Sequence, residues 1–195
     1  MEKGNFLSAL LRTGKTVFST KDLALLWGEP NTGATRVRLH HFVKTGELYH
    51  IRQGLYATSR DYNRRELATR ILIPSYVSFE TVLVQEGLIF QYYETIFLAS
   101  YTTREIEIDG QVYRFRKMKR KLLINPMGIE LKSGTSTATC ERAMLDMLYI
   151  DPDFYFDSFN GVDWEQVFEI LPIYKTDFLA KKVNELYRKA QEVTR

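Results

Sequence analysis

Glu130-Leu131-Lys132, with Asp109 or Glu107 upstream, has the form of the acid plus Glu-x-Lys set by which some nucleases hold a metal ion and position a water. The bland alternative outweighs it, because alternating charge is what the solvent-facing side of an antiparallel strand looks like. Asp151, Asp153 and Asp157 imitate a calcium loop, but the loop glycine and the closing bidentate acid are missing, so they read as residues that end and solvate a helix. Cys140 is the single cysteine, which excludes an internal disulfide and a cysteine-rich zinc site. It reads as a small residue at a helix start, far in sequence from His40, His41 and His50. The chain has no P-loop pattern, no Gly-x-Ser-x-Gly and no Gly-Ser with paired aspartates of the nucleotidyltransferase kind. No catalytic residue, metal ligand or cofactor is therefore assigned, and the chain is expected not to be an enzyme.

The remaining chemistry is cationic. Thr35, Arg36, Arg38, His41 and Lys44 fall on a helix pattern, and Arg52 and Gln53 sit at a tight turn just after it. Arginine reads guanine edges, while histidine, threonine and lysine reach phosphates, so this group fits duplex DNA. Residues 1–58 carry eight Lys/Arg against four Asp/Glu and all three histidines. A second basic stretch contains Arg114, Arg116, Lys117, Lys119, Arg120 and Lys121. Three readings of it stand: an ordinary solvated or gatekept strand, an extension of the DNA footprint, or a dock for an acidic partner surface. From Glu141 to Asp177 the balance reverses, with nine Asp/Glu against two Lys/Arg, a part of the chain that should avoid an anion.

The elements that must position these residues follow from periodicity and punctuation. Ser19 with Asp22 predicts a capped helix with Leu23, Leu26 and Trp27 on one face, stopped by Gly28 and Pro30. Glu29 to Gly33 is a polar break. The next helix puts Leu39, Phe42 and Val43 inward and ends at Gly46, which leaves Val37, Arg38, His41 and Lys44 facing away, with Thr35 and Arg36 in its exposed first turn. Leu48–Ile51 and Leu55–Thr58 then form a hairpin around Arg52-Gln53-Gly54, with Tyr49 and Tyr56 packing in the sheet. Two helices and a basic hairpin in that order describe a winged helix-turn-helix.

Downstream, residues 59–72 read as a connecting helix closed by Pro74, and Ser78 as the N-cap of a helix ending at Gly87. Five strands are expected over 96–101, 105–108, 111–118, 121–125 and 128–131, with Asp109-Gly110 as a type I′ turn. Thr139, Asp163 and Thr176 open three more helices. Glu141 sits in a first helical turn, and Arg142 and Asp146 stand one turn apart as a shielded pair. The fold class is thus α+β: a winged helix-turn-helix over 1–58, a connecting helix over 59–72, and a C-terminal α/β domain over 73–195 with an antiparallel sheet and helices.

YVSFETVLVQEGLI at 76–89 and STATCERAMLDMLYI at 136–150, behind an N-terminal winged helix ending GLYA, resemble the AbiEi antitoxins of AbiE-type (type IV) toxin-antitoxin systems. The resemblance spans nearly the whole chain. Its first motif is matched by Tyr76, Val77, Ser78, Phe79, Glu80, Gly87, Leu88 and Ile89, and its second by Ala138, Glu141, Arg142, Ala143 and Asp146. Cys140 stands where many members have proline, a change that loosens only a helix start. The resemblance implies an autorepressor that binds inverted repeats in its own promoter. It also implies an antitoxin opposing, directly or indirectly, a nucleotidyltransferase-like toxin of the AbiEii kind. The resemblance further implies that DNA binding lies in the N-terminal domain and neutralisation in the C-terminal one. A stand-alone winged-helix transcription factor, or a metal-dependent nuclease, is the alternative.

The 195-residue chain is 45% hydrophobic and carries a formal net charge of +3, enough apolar material for one or two cores. No apolar run approaches the ~18 residues of a membrane span, and the first residues lack a signal peptide's apolar core. A cytoplasmic protein without a membrane partner is expected.

Overall fold

The computed structural model describes residues 3–28, 33–132 and 134–193. It is α+β and divides into two compact units, Met1–Ile71 and Leu72–Arg195, the first with a three-stranded antiparallel sheet and the second with a six-stranded mixed sheet. Among the described residues no helix is long and apolar enough to cross a membrane.

The first unit runs α1 (Lys3–Arg12), β1 (Val17–Ser19), α2 (Thr20–Leu26), α3 (Gly33–Lys44), β2 (Tyr49–Arg52), β3 (Leu55–Ala57) and α4 (Arg64–Ile71). β3 is central, antiparallel to both β1 and β2. The core is built where the two inward helix stripes meet: Leu23 and Trp27 of the α2 segment, Leu39 and Phe42 of α3, with Leu10, Phe18 and Leu48. Trp27 and Phe42 stack with ring centroids 5.8 Å apart. The expected polar break at 29–32 lies outside the described residues.

Ser19 caps α2 as its spacing predicts. Its Oγ accepts the Asp22 N–H at 3.1 Å, and Asp22 Oδ2 accepts the Ser19 N–H at 2.8 Å, so two orphan donors are satisfied reciprocally. Burial acts to raise the Asp22 carboxyl, but the hydrogen bonds with Ser19 and the Arg70 guanidinium at 2.7 Å outweigh it and hold the group below its ordinary value.

The stretch expected as a connecting helix over 59–72 is helical only from Arg64 to Ile71, and that helix belongs to the first unit. Glu66, 1% exposed, explains why. Its Oε2 accepts the Thr16 N–H and hydroxyl, both at 2.8 Å, and the Val17 N–H at 3.3 Å. Arg70 then bridges Glu66 Oε1 at 3.2 Å to Asp22. A carboxylate buried at this cost is held only with such partners, so α4 clasps the start of β1 and α2 rather than spacing two domains.

The second unit places β4 (Ser75–Val77), α5 (Glu80–Gln85), β5 (Ile96–Ser100), β6 (Arg104–Ile108), β7 (Gln111–Lys117), α6 (Arg120–Leu123), β8 (Ile129–Lys132) and β9 (Thr135–Ala138) before α7 (Cys140–Ile150), α8 (Trp164–Ile170), a 3-10 turn (Leu171–Tyr174) and α9 (Asp177–Val193). The strand order is β6-β7-β5-β4-β9-β8. The sheet is mixed, not antiparallel as expected: β5 runs parallel to β7 and β4 parallel to β9. β5 is buried at every position, and its apolar run Ile96–Ala99 is that of a strand covered on both faces. Asp109 (φ 50°) and Gly110 (φ 76°) make the predicted tight turn between β6 and β7.

Two further expectations change. Residues 121–125, expected as a strand, contain no strand: the short helix α6 takes in 121–123, with Leu122 and Leu123 buried, and ends there; a brief apolar run does not distinguish the two states. Ser78 does not cap α5. The cap position is Phe79, with φ 55° and ψ −140° and no side-chain cap bond, a backbone state costing on the order of 1–3 kcal/mol that its fully buried ring helps to hold. Thr139, by contrast, caps α7 through the Arg142 N–H, and Asp163 caps α8 through the Glu165 and Gln166 N–H groups.

Candidate nucleic-acid interface

Helical geometry sorts the residues of α3. Thr35, Leu39 and Phe42 recur at i, i+4 and i+7 and are buried. Thr35 was expected in the exposed first turn; it is fully buried, because that same spacing puts it on the core stripe, and it leaves the candidate surface. Val37, His40, His41 and Lys44 occupy the opposite side, flanked by Arg36 and Arg38, all exposed. His40 belongs to this face as much as His41 does; its i, i+4 relation to Lys44, about 40° apart around the helix, is the signal that marks it. Val37, 73% exposed, is an apolar side chain at the centre of this face. The Arg38 guanidinium lies over the Trp27 ring, 5.3 Å from its centroid, which restricts its direction.

The hairpin is tighter than a three-residue Arg52-Gln53-Gly54 turn. Arg52 is the last residue of β2, paired with Leu55, so the turn is Gln53-Gly54 alone. The register shifts between His50 and Arg52, a bulge that re-aims the Arg52 side chain, which is half-buried while Gln53 is exposed. Gly54 takes φ 78°, unfavourable for any side-chain-bearing residue. Its carbonyl accepts the Thr20 N–H at 3.0 Å, tying the hairpin tip to the start of α2. The α3 face and the hairpin thus belong to one compact unit.

The second basic stretch is not one stripe. β7 is an inner strand next to the edge, so the edge-strand reading does not apply. Arg114 pairs with Glu105 at 2.7 Å and lies over Phe97. Arg116 pairs with the buried Glu80 and lies over Phe79 and Phe97. Those two charges are matched at home. Lys117, Lys119, Arg120 and Lys121 remain exposed where β7 gives way to α6, with Lys119 over the Tyr149 ring.

The acid and Glu-x-Lys set is not assembled. Glu107 and Asp109 belong to the β6–β7 hairpin and Glu130 to β8, at opposite edges of the sheet, about 24 Å apart at the usual strand spacing. Glu130 is instead paired with Lys132 at 2.6 Å on an exposed strand. Asp151 follows the end of α7, Asp153 faces Lys182 at 3.7 Å, and Asp157 accepts the Phe90 N–H at 2.8 Å, so these three are dispersed as well. Among the described residues no group of three or more His, Cys, Asp or Glu is placed to hold a metal. Burial, with Glu141 and Glu86 adding, pushes the Cys140 thiol up to about 12.

The two motif segments of the second unit converge instead on one buried network. Arg142 and Asp146 are both fully buried and pair at 3.2 Å. Asp146 also accepts the hydroxyls of Tyr76 and Ser78 at 2.9 Å and of Tyr174 at 2.6 Å. Arg142 donates to the Tyr76 hydroxyl at 2.9 Å and to the carbonyls of Leu122 and Met127 at 2.8 Å. The guanidinium thus adds a second donor to the Leu122 carbonyl, which also accepts the Asn125 N–H at 3.2 Å, and ties the end of α6 to α7. Gly128 closes over it: a Cβ there would stand 2.7 Å from Arg142 Cβ and 2.8 Å from Ile170 Cδ1, and its φ is 69°. Glu141 accepts the Asp163 N–H at 3.2 Å, linking α7 to the cap of α8. Burial pushes Asp146 upward, against the pull of Arg142 and the hydroxyls, and burial reinforced by the Asp146 charge holds Tyr76 and Tyr174 well above 10. With no solvent access, this cluster acts by holding β4, α6, α7 and the 3-10 turn together.

No protein-family model matches the chain, and a comparison with curated proteins likewise finds no match.

Proposed function

We propose that the first unit is a winged helix-turn-helix that binds duplex DNA, with α3 in the major groove and the β2–β3 hairpin as the wing. The observation that carries this reading is the outward face of α3: Arg36, Val37, Arg38, His40, His41 and Lys44 stand exposed in the same compact unit as the hairpin that carries Arg52 and Gln53. A face with cations around an apolar centre suits base edges framed by phosphates better than it suits an apolar protein partner. Arg38 is the base reader; Arg52, Lys44 and the histidines contact backbone.

The wider role rests on the resemblance to AbiEi antitoxins. In this reading the chain represses its own operon from inverted repeats, and the second unit opposes a nucleotidyltransferase-like toxin of the AbiEii kind. The convergence of both family-like segments on the Arg142–Asp146 network supports it only in part: it gives their residues a shared structural purpose.

Anisotropy of a labelled duplex taken from upstream of the chain's own reading frame tests the first half. The full chain binds it more tightly than a scrambled duplex, with affinity falling steeply as salt rises. Equal, weak binding to both would end the repressor reading. For the second half, co-expression with the nucleotidyltransferase-like product of a neighbouring frame restores growth if the antitoxin assignment holds.

A further inference from the structure

The second unit contains a cavity of about 690 Å³, within the range of small-molecule sites, between the loop that joins α7 to α8, the Phe90 segment and the end of α9. Its apolar wall includes Phe90 and Tyr155, 72% and 76% exposed, and Trp164, which is backed by Phe159 and Tyr187 at ring distances of 5.8 and 5.2 Å. Large rings left in solvent at a cavity mouth are surface the fold does not use for its own core.

Two opposite charges line the same space. Asp157 is fixed from behind: its N–H donates to the Leu88 carbonyl at 2.9 Å, and its Oδ2 accepts the Phe90 N–H at 2.8 Å, which leaves Oδ1 without a partner among the described residues. Lys189, on α9, makes no ion pair among the described residues, and the two side chains do not pair with each other. A neutral ligand would answer neither charge, a cation only Asp157, an anion only Lys189. A zwitterion answers both, and its apolar part falls among the rings.

We propose that this cavity binds a small aromatic zwitterion, of which an aromatic amino acid is the simplest: the α-ammonium on Asp157, the α-carboxylate on Lys189, and the ring against Tyr155 and Trp164. The site is independent of the DNA-binding reading and stands or falls without it.

Titration calorimetry on the full chain tests it with phenylalanine, 2-phenylethylamine, which lacks the carboxylate, and 3-phenylpropionate, which lacks the ammonium. Phenylalanine binds, and each truncated analogue binds at least about tenfold more weakly, the equivalent of about 1.4 kcal/mol. Lys189→Ala abolishes the preference for phenylalanine over 2-phenylethylamine. Asp157→Asn, which retains an oxygen for the Phe90 N–H, abolishes the preference over 3-phenylpropionate. Both residues are exposed, and circular dichroism of each variant verifies that the fold is kept. Absence of heat with phenylalanine, equal affinity for all three compounds, or unchanged selectivity in both variants overturns the proposal.

Discussion

Arg142 and Asp146 stand one helical turn apart on α7, and neither reaches solvent. Removing one partner of such a pair strands the other charge, typically at about 3–5 kcal/mol. Asp146→Asn should therefore lower the stability of the second unit by about that amount in urea unfolding, while the DNA affinity of the folded protein stays unchanged; wild-type stability would remove the pair from its structural role. The two phenols bonded to Asp146 give a pH signature. Tyr76 and Tyr174 keep their protons when folded at pH values where the unfolded chain, with ordinary phenols near 10, loses them. The folded state then holds more protons than the unfolded one, so stability should fall as pH rises above about 10. A urea midpoint followed from neutral to alkaline pH checks this, with Tyr174→Phe flattening the slope; no dependence above 10 would contradict it. The i, i+4 spacing of the pair is legible in the sequence. Its other partners lie 15 to 70 positions away, where no local pattern points to them. Thr35 shows the opposite failing: its spacing from Leu39 and Phe42 marks it as inward, but its polar type invites an exposed reading.

Elements with chemical punctuation are the ones the sequence announces. α2 with Ser19 and Asp22, α3 before Gly46, α7 after Thr139, α8 after Asp163 and the Asp109-Gly110 turn all fall where caps and glycines put them. β1, β4 and β9 escape because three or four residues cannot display an alternation, and because β1 and β4 pair with strands far away in sequence. The same distance hides the parallel pairings. α4 reads as a charged connector since its key contact is one buried carboxylate, Glu66, reaching a loop fifty positions upstream. The capping box permits a graded test. Ser19→Ala should cost the first unit about 0.5–2 kcal/mol, read from urea unfolding, with the second unit unaffected. A change within error would mean that Arg70 alone holds the Asp22 end of α2.

At the scale of the molecule, basic charge gathers on the first unit while residues 141–177 are strongly acidic, so an anionic polymer is drawn to one part of the chain and repelled from another. The contact pattern divides the chain at Ile71/Leu72, each part with its own core. A fragment of residues 72–195 should accordingly unfold cooperatively in urea and fail to bind promoter DNA; a fragment that stays unfolded would show that the second unit depends on the first. The central claim is that the outer face of α3 reads base pairs while the hairpin tip grips the backbone. It is tested most directly by measuring promoter and scrambled-duplex affinity of Arg38→Ala and Arg52→Ala in the full chain over a range of salt. Arg38→Ala should lose about 1–3 kcal/mol on the promoter and relax the preference at one base pair, and Arg52→Ala should weaken both duplexes alike and reduce the salt slope by about one. Wild-type affinity and salt dependence in both variants would contradict the account.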